Sequence, residues 1–200
     1  MKDARFSAVQ TIRDEHRSIS AVLLGLKELA RMAAEARERP DFRPLRAMLR
    51  FVDEYPERLH HPKEDDYLFA RLEARHPQSK ALIDGLKAEH VKGAELIREL
   101  ERAFLFMEDG WPQGTGRFRE AVEAYAQFHW EHMNREEKDL LPLAERHLAP
   151  ADWEEIAAAF SANTNPIEGV RERDFGELFT RIVNLAPAPV GLADPWARPA

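Results

Sequence analysis

Two histidines and a carboxylate recur at i, i+3 and i+7 in the stretch His129, His132 and Glu136. On a helix, positions three and four apart share a face. At about 100° per residue, with His132 as zero, Glu136 lies near 40° and His129 near 60°. Phe118, Val122, Tyr125, Leu140 and Leu143 fall between about 20° and 80° on the same wheel. The polar trio therefore points into an apolar stripe. A buried imidazole or carboxylate without a partner is costly. The trio needs hydrogen bonds or a metal ion, and the rest of the chain must complete either.

An internal repeat supplies the rest. His60-x-x-x-Glu64-Asp65-x-x-Leu68-Phe69 aligns with His132-x-x-x-Glu136-Glu137-x-x-Leu140-Leu141 at an offset of 72 residues. His16 precedes His60 by 44 residues, and His90 precedes His132 by 42. The chain thus carries two copies of one unit: a helix with a central histidine, then a helix with His-x-x-x-Glu. Imidazole suits iron, zinc, copper or nickel, and carboxylate suits harder ions. Four histidines and two glutamates in approximate two-fold symmetry fit two ions better than one. Each ion takes terminal imidazoles, and each carboxylate bridges. Iron matches this mixed nitrogen and oxygen set. Manganese or zinc remain alternatives, although a closed structural zinc site takes only four ligands.

The elements that must position these residues are helical. Val9, Ile12, Ile19, Leu23, Leu26 and Ala30 recur at spacings of three and four and predict a helix over 7–37, with His16 on its apolar stripe. A second helix starts near Asp41. Pro56 and Pro62 lie inside its pattern, and interior prolines kink or break helices. The expectation is a bent helix, or two pieces meeting near Pro56 or Pro62. A third helix is predicted over 78–106, then a glycine-rich loop, then a fourth over 115–147 that Pro142 should bend or end. Paired helical hairpins with short connections make an antiparallel, up-down-up-down four-helix bundle. The fold class expected is all-α, with that bundle over 1–148. Residues 149–200 should form a helical extension and an extended arm packing on the bundle. A shorter helix capped by Asp152 or a neighbour opens it, a linker covers 163–169, and a short helix holds Phe175 to Ile182. Four prolines after Ala186 mark the arm.

Composition removes several alternatives. The hydrophobic fraction of 44% supports a packed core. A net charge of -7 argues against a nucleic-acid face built on bulk charge. With no cysteine, this chain offers no disulfide, thiolate zinc site or iron–sulfur ligation. The start, from Met1 to Phe6, has no apolar region of a secretory signal, and no run of 18 apolar residues spans a membrane. A cytoplasmic location is expected, with no nucleic-acid or membrane partner.

The set His16, His60-x-x-x-Glu64, His90, His132-x-x-x-Glu136 resembles the hemerythrin-like, or HHE cation-binding, domain, over about residues 8 to 148. The stretch His60, His61, Pro62, Lys63, Glu64, Asp65, Asp66, Tyr67, Leu68, Phe69 is especially similar to bacterial members. The resemblance implies a non-haem di-iron centre bridged by two carboxylates. One iron would keep an open position for dioxygen or a related diatomic or peroxide ligand. It also implies roles that other members fill: oxygen or redox sensing, nitric oxide handling and iron response. The chain departs from the oxygen carriers at one place. They carry two histidines one turn apart on the third helix, and here His90 has Leu86 before it and Ala94 after it. His129, one turn before His132, is aimed to substitute. The metal set expected is therefore His16, His60, Glu64, His90, His129, His132 and Glu136. Tyr125, one further turn back, can also approach.

The other polar residues take plainer readings. His61 reads as a surface residue or one that touches a ligand, and, with the register around Pro62 open, as an alternative ligand to His129. Asp65, Asp66 and Glu137 read as solvated or as orienting ligands. Glu15 and Glu89 read as surface charges. His76 and His147 read as cations favoured by helix C-termini. Three functions compete: a dioxygen-binding or sensing protein, a di-iron redox enzyme (peroxidase, oxidase or nitric oxide handling), and a regulatory module whose metal orders the C-terminal segment. A protein partner or an oligomer is left open.

Overall fold

The computed structural model describes residues 3–161. They form five helical runs and, among the described residues, no strand. We label these α1 (Ala4–Glu35), α2 (43–75), α3 (Lys80–Gly110), α4 (115–147) and α5 (Pro150–Ser161). The expected linker at 163–169, the helix near Phe175 and the proline-rich arm lie outside the described residues. No described helix is long and apolar enough to cross a membrane.

The regular α-helical pattern is interrupted where the prolines predict, after Tyr55 and before Pro142, but the helices do not end there. Both α2 and α4 stay helical through them by widening into π-helical turns. One such turn covers Pro56–His60 and closes with the His61 amide donating to Pro56 O, five residues back. Another covers Glu136–Leu140 and closes with the Leu141 amide donating to Glu136 O. In both, a proline follows at once, Pro62 or Pro142. A proline has no N–H to donate, and its ring collides with the carbonyl four residues earlier. A turn bonded five back shifts that carbonyl aside and lets the helix continue. A third wide turn, Glu64–Phe69, follows in α2.

Helix α1 packs against the first parts of α2 and α4 and against α5, and α3 packs along α4. The connections are short, at 36–42, 76–79 and 111–114. The last is pinned by Trp111, whose Nε1 donates to Ala33 O at 3.0 Å. Gly114 caps the start of α4 with φ 85°, and a Cβ there would lie 2.7 Å from Phe106 Cδ1. Only glycine suits that corner.

The core is divided. One apolar cluster gathers Ile19, Leu23, Leu26, Met48, Val52, Phe118 and their neighbours. The other gathers Ile12, Leu68, Phe69, Leu86, Leu140, Trp153 and Phe160. On α1, His16 falls between Ile12 of one cluster and Ile19 of the other. The buried histidines, with Glu64 and Glu136, occupy the layer between them.

Helix α5 joins the second cluster through Trp153, Ile156 and Phe160. Its start is tied by Asp152, which accepts from the Ala149 amide at 2.8 Å and from Arg75 Nε at 2.8 Å. The expected capping role of Asp152 takes this form, a side chain reaching back to the residue before the helix.

Candidate metal centre

Four imidazoles enter the polar layer from four different runs: His16 from α1, His60 from α2, His90 from α3 and His132 from α4. Each is at most 7% exposed. They form two facing pairs. His16 Nε2 lies 3.1 Å from His60 Nε2, and His90 Nε2 lies 3.1 Å from His132 Nε2.

The outward nitrogens are all engaged by carboxylates on a neighbouring run. His60 Nδ1 meets Glu15 at 2.7 Å, and His90 Nδ1 meets Asp65 at 3.1 Å. His132 Nδ1 meets Glu89 at 2.9 Å, and His16 Nδ1 meets Glu137 at 2.9 Å. The pattern runs round the molecule: α1 serves α2, α2 serves α3, α3 serves α4, and α4 serves α1. Lys63 lies 3.5 Å from Glu15, and its counterpart in the repeat, Arg135, pairs with Glu89. Glu15 and Glu89 are thus imidazole partners, where the sequence reading had them as surface charges. They point across the helix crossing, which a single-helix wheel does not contain.

A neutral imidazole that donates from Nδ1 has a lone pair at Nε2. Two such lone pairs 3.1 Å apart repel unless a cation lies between them. Glu64 and Glu136 strengthen that demand. Both are 1% exposed, and all four of their oxygens lack a hydrogen-bond partner. Glu64 Oε1 lies 3.3 Å from His60 Nε2, and its Oε2 lies 3.6 Å from His90 Nε2. Glu136 Oε2 lies 3.3 Å from His16 Nε2, and its Oε1 lies 3.3 Å from His132 Nε2. Each carboxylate spans both pairs, one oxygen to each.

Proton affinities express the same hunger for cations. Burial alone would lower His90, but the Asp65 carboxylate at its Nδ1 and the nearby charges of Glu136 and Glu64 outweigh it and raise it to about 10. His16 is raised well above its ordinary value against the same burial, through Glu136, Glu137 and Glu64. Burial would raise Glu136, and the surrounding His132, His16 and His90 hold it well below the usual carboxylate range instead. Without a metal ion the centre draws in protons.

Potential ligand atoms form two groups, and within each group all of them lie within 4.8 Å of one another. One is His16, His60, Glu64 and Glu136; the other is His61, Glu64, His90 and His132. Six of the seven residues expected from the sequence therefore come together. The seventh, His129, belongs to neither group. Its Nε2 has no hydrogen-bond partner and lies 3.7 Å from Glu57 Oε1. Burial, with the neighbouring His132 and His90, pushes it down to about 3, so it is neutral. The Tyr125 ring lies 4.3 Å from that of His129, tilted by 51°, and its hydroxyl donates to Val52 O at 3.2 Å, away from the centre.

His61 turns inward as well. It is 5% exposed, and its ring lies 4.1 Å from that of His90, nearly parallel at 11°. At a fixed rotation per residue, His60 and His61 cannot both face inward. The π-helical turn ending at His60 reduces that rotation. Pro62 beside His61 was the available signal. His76 and His147 stack on each other at 3.9 Å, apart from the centre.

The residues present fit a bridged pair of cations: nitrogen and oxygen donors, buried, unpaired and paired by symmetry. No curated protein matches the chain. The family model for the hemerythrin HHE cation binding domain matches residues 7–144, more than half of the chain and all four runs that contribute donors. With its ligand-type residues drawn from those same four runs, the chain belongs to the hemerythrin HHE cation-binding domain family.

Proposed function

We propose that this protein holds a carboxylate-bridged pair of iron ions and uses it to bind or sense dioxygen or a related small molecule. The observation that carries the reading is the pair of buried carboxylates, each with one oxygen toward one imidazole pair and one toward the other. His16 and His60 would hold one ion. His90 and His132 would hold the other, with His61 as a fifth imidazole in place of His129. Glu64 and Glu136 would be shared by the two ions. Helices α1 to α4 then run alternately up and down as a four-helix bundle, and α5 is an extension of it.

A di-iron pair supplies reversible two-electron chemistry toward a small bound molecule. The chain's own residues set the terms. The five imidazoles and two carboxylates are at most 7% exposed, which keeps bulk water and bulky substrates out. The flank of His16 lines an open groove of about 590 Å³ between α1 and α4, with Trp130, Met133 and Lys138. That groove is the approach for a diatomic or peroxide-sized ligand. The carboxylates at each Nδ1 fix the tautomer and the ring orientation.

The test is to load purified protein with ferrous iron anaerobically, count iron per chain, and titrate oxygen while recording absorption spectra. Two irons per chain and an oxygen-dependent band that reverses on deoxygenation are expected. Two irons with rapid oxygen consumption would assign a redox enzyme instead, and fewer than two irons would remove the di-iron assignment.

A second reading has one contact in its favour. Phe160 of α5 packs edge-on against the His60 ring at 6.3 Å, and Lys63 Nζ lies 5.2 Å above the Phe160 ring. An appended helix that touches a ligand can report metal occupancy to the segment after it. Metal-dependent protease protection beyond Ser161, without any gas-dependent spectrum, would select that regulatory role.

A further inference from the structure

Glu57, His61 and His129 form a second buried polar cluster beside the centre. Glu57 Oε2 lies 3.4 Å from His61 Nδ1, and Glu57 Oε1 lies 3.7 Å from His129 Nε2. The His61 and His129 rings are parallel within 4°, with centroids 5.9 Å apart. Glu57 Oε1, His61 Nδ1 and His129 Nε2 are all buried without a hydrogen-bond partner. Helix α3 reaches His61 through the His90 ring, and it passes Glu57 and His129 at a glycine. A Cβ on Gly93 would lie 3.0 Å from Glu57 Oε1 and 3.4 Å from His129 Cε1.

The repeat explains why this cluster has no twin. Glu57 and His129 occupy equivalent positions in the two copies, 72 residues apart, and they meet each other. The counterpart of His61 is Met133. The four symmetric imidazoles each have an Nδ1 carboxylate on a neighbouring run. His61 has its carboxylate on its own helix, one turn earlier.

We propose that Glu57 is a positioning residue: it holds His61 by Nδ1 so that the other ring nitrogen faces the His90 and His132 pair, and it holds His129 off that pair. One side chain thereby makes the two halves of the centre unequal, three imidazoles against two. The inference rests on the di-iron reading for its consequence, and on geometry alone for the contact itself. Glu57 has two oxygens, and each faces one imidazole. Glutamine in its place keeps an oxygen to accept from His61 and gains an N–H to donate to His129. Leucine keeps the volume and loses both.

The test compares wild type, Glu57→Gln, Glu57→Leu and His129→Phe. In the iron-loaded proteins, iron per chain and the number of imidazole ligands are read from metal analysis and iron K-edge fine structure. Wild type, Glu57→Gln and His129→Phe should show five imidazoles over two irons. Glu57→Leu should show four, with iron affinity reduced about 10- to 100-fold. An unchanged imidazole count in Glu57→Leu overturns the proposal, and so does a lower count in His129→Phe. In the metal-free proteins, nitrogen NMR reads the His61 tautomer. Nδ1–H is expected in wild type and Glu57→Gln and should be lost in Glu57→Leu; Nε2–H in wild type overturns the proposal even if Glu57→Leu does not fold. If wild type holds fewer than two irons while His61 carries Nδ1–H, the di-iron reading fails and the Glu57 contact stands.

Discussion

Each of the four symmetric imidazoles is used at both nitrogens, one toward the centre and one toward a carboxylate. A carboxylate behind an imidazole raises its basicity and stops the ring from turning, so its loss weakens metal binding without removing a ligand. Glu89→Ala and Glu137→Ala should each lower iron affinity about 10- to 100-fold and leave the capacity at two irons. Competition with a chelator measures this. A fall in capacity instead of affinity would make these carboxylates ligands. At this scale the sequence was informative about the six repeated residues, because a repeat marks paired positions whatever the helices do. It was blind to Glu15 and Glu89 as partners. Their targets, His60 and His132, lie on the next helix, and no spacing along one chain segment encodes which side chains meet at a crossing. It also favoured His129 over His61, since a wheel of constant pitch cannot anticipate a widened turn.

Helix lengths and order followed the apolar periodicity closely, and α4 begins and ends at the residues expected, Thr115 and His147. The prolines interrupt the regular helix, as their positions predict, without ending it, because a bond to the fifth residue back offers the helix another way past them. That choice depends on tertiary packing, since α2 is held on one side by α1 and on the other by α3. Helix α5 gives the element scale its sharpest test. Arg75 holds the Asp152 carboxyl below its ordinary range, with the Ala149 amide assisting and burial opposing. A depressed carboxylate stabilises the fold above the unfolded value of about 3.9 and loses that contribution as pH falls through its folded value. Asp152→Ala should therefore cost about 0.5–2 kcal/mol near neutral pH, the range of a lost cap. The difference from wild type in urea melts should shrink as the pH is lowered below about 4. A difference that persists in acid would show that Asp152 acts by packing and not by charge.

At the scale of the whole molecule, the two apolar clusters are separated by a layer of charge. An all-helical fold could be read from the sequence; this division could not, because both clusters draw on the same stripes, with the histidines between them. Burying carboxylates without partners costs several kcal/mol per ion, and breaking a buried pair is costlier than never making it. Ions in the layer convert that cost into a bond between the two halves of the core. A ligand bound only to the folded state adds about 2.7 kcal/mol at a hundred times its dissociation constant. Metal-loaded protein should therefore melt well above the chelated form. His60→Ala and His132→Ala sit in different pairs, yet both buried carboxylates touch both pairs. Each variant should therefore hold fewer than two irons and lose most of the gap between loaded and chelated melting temperatures. If one variant lost one iron and kept the second at wild-type affinity, the two positions would be independent. The carboxylates would then not bridge them, and the unpaired oxygens of Glu64 and Glu136 would need another partner.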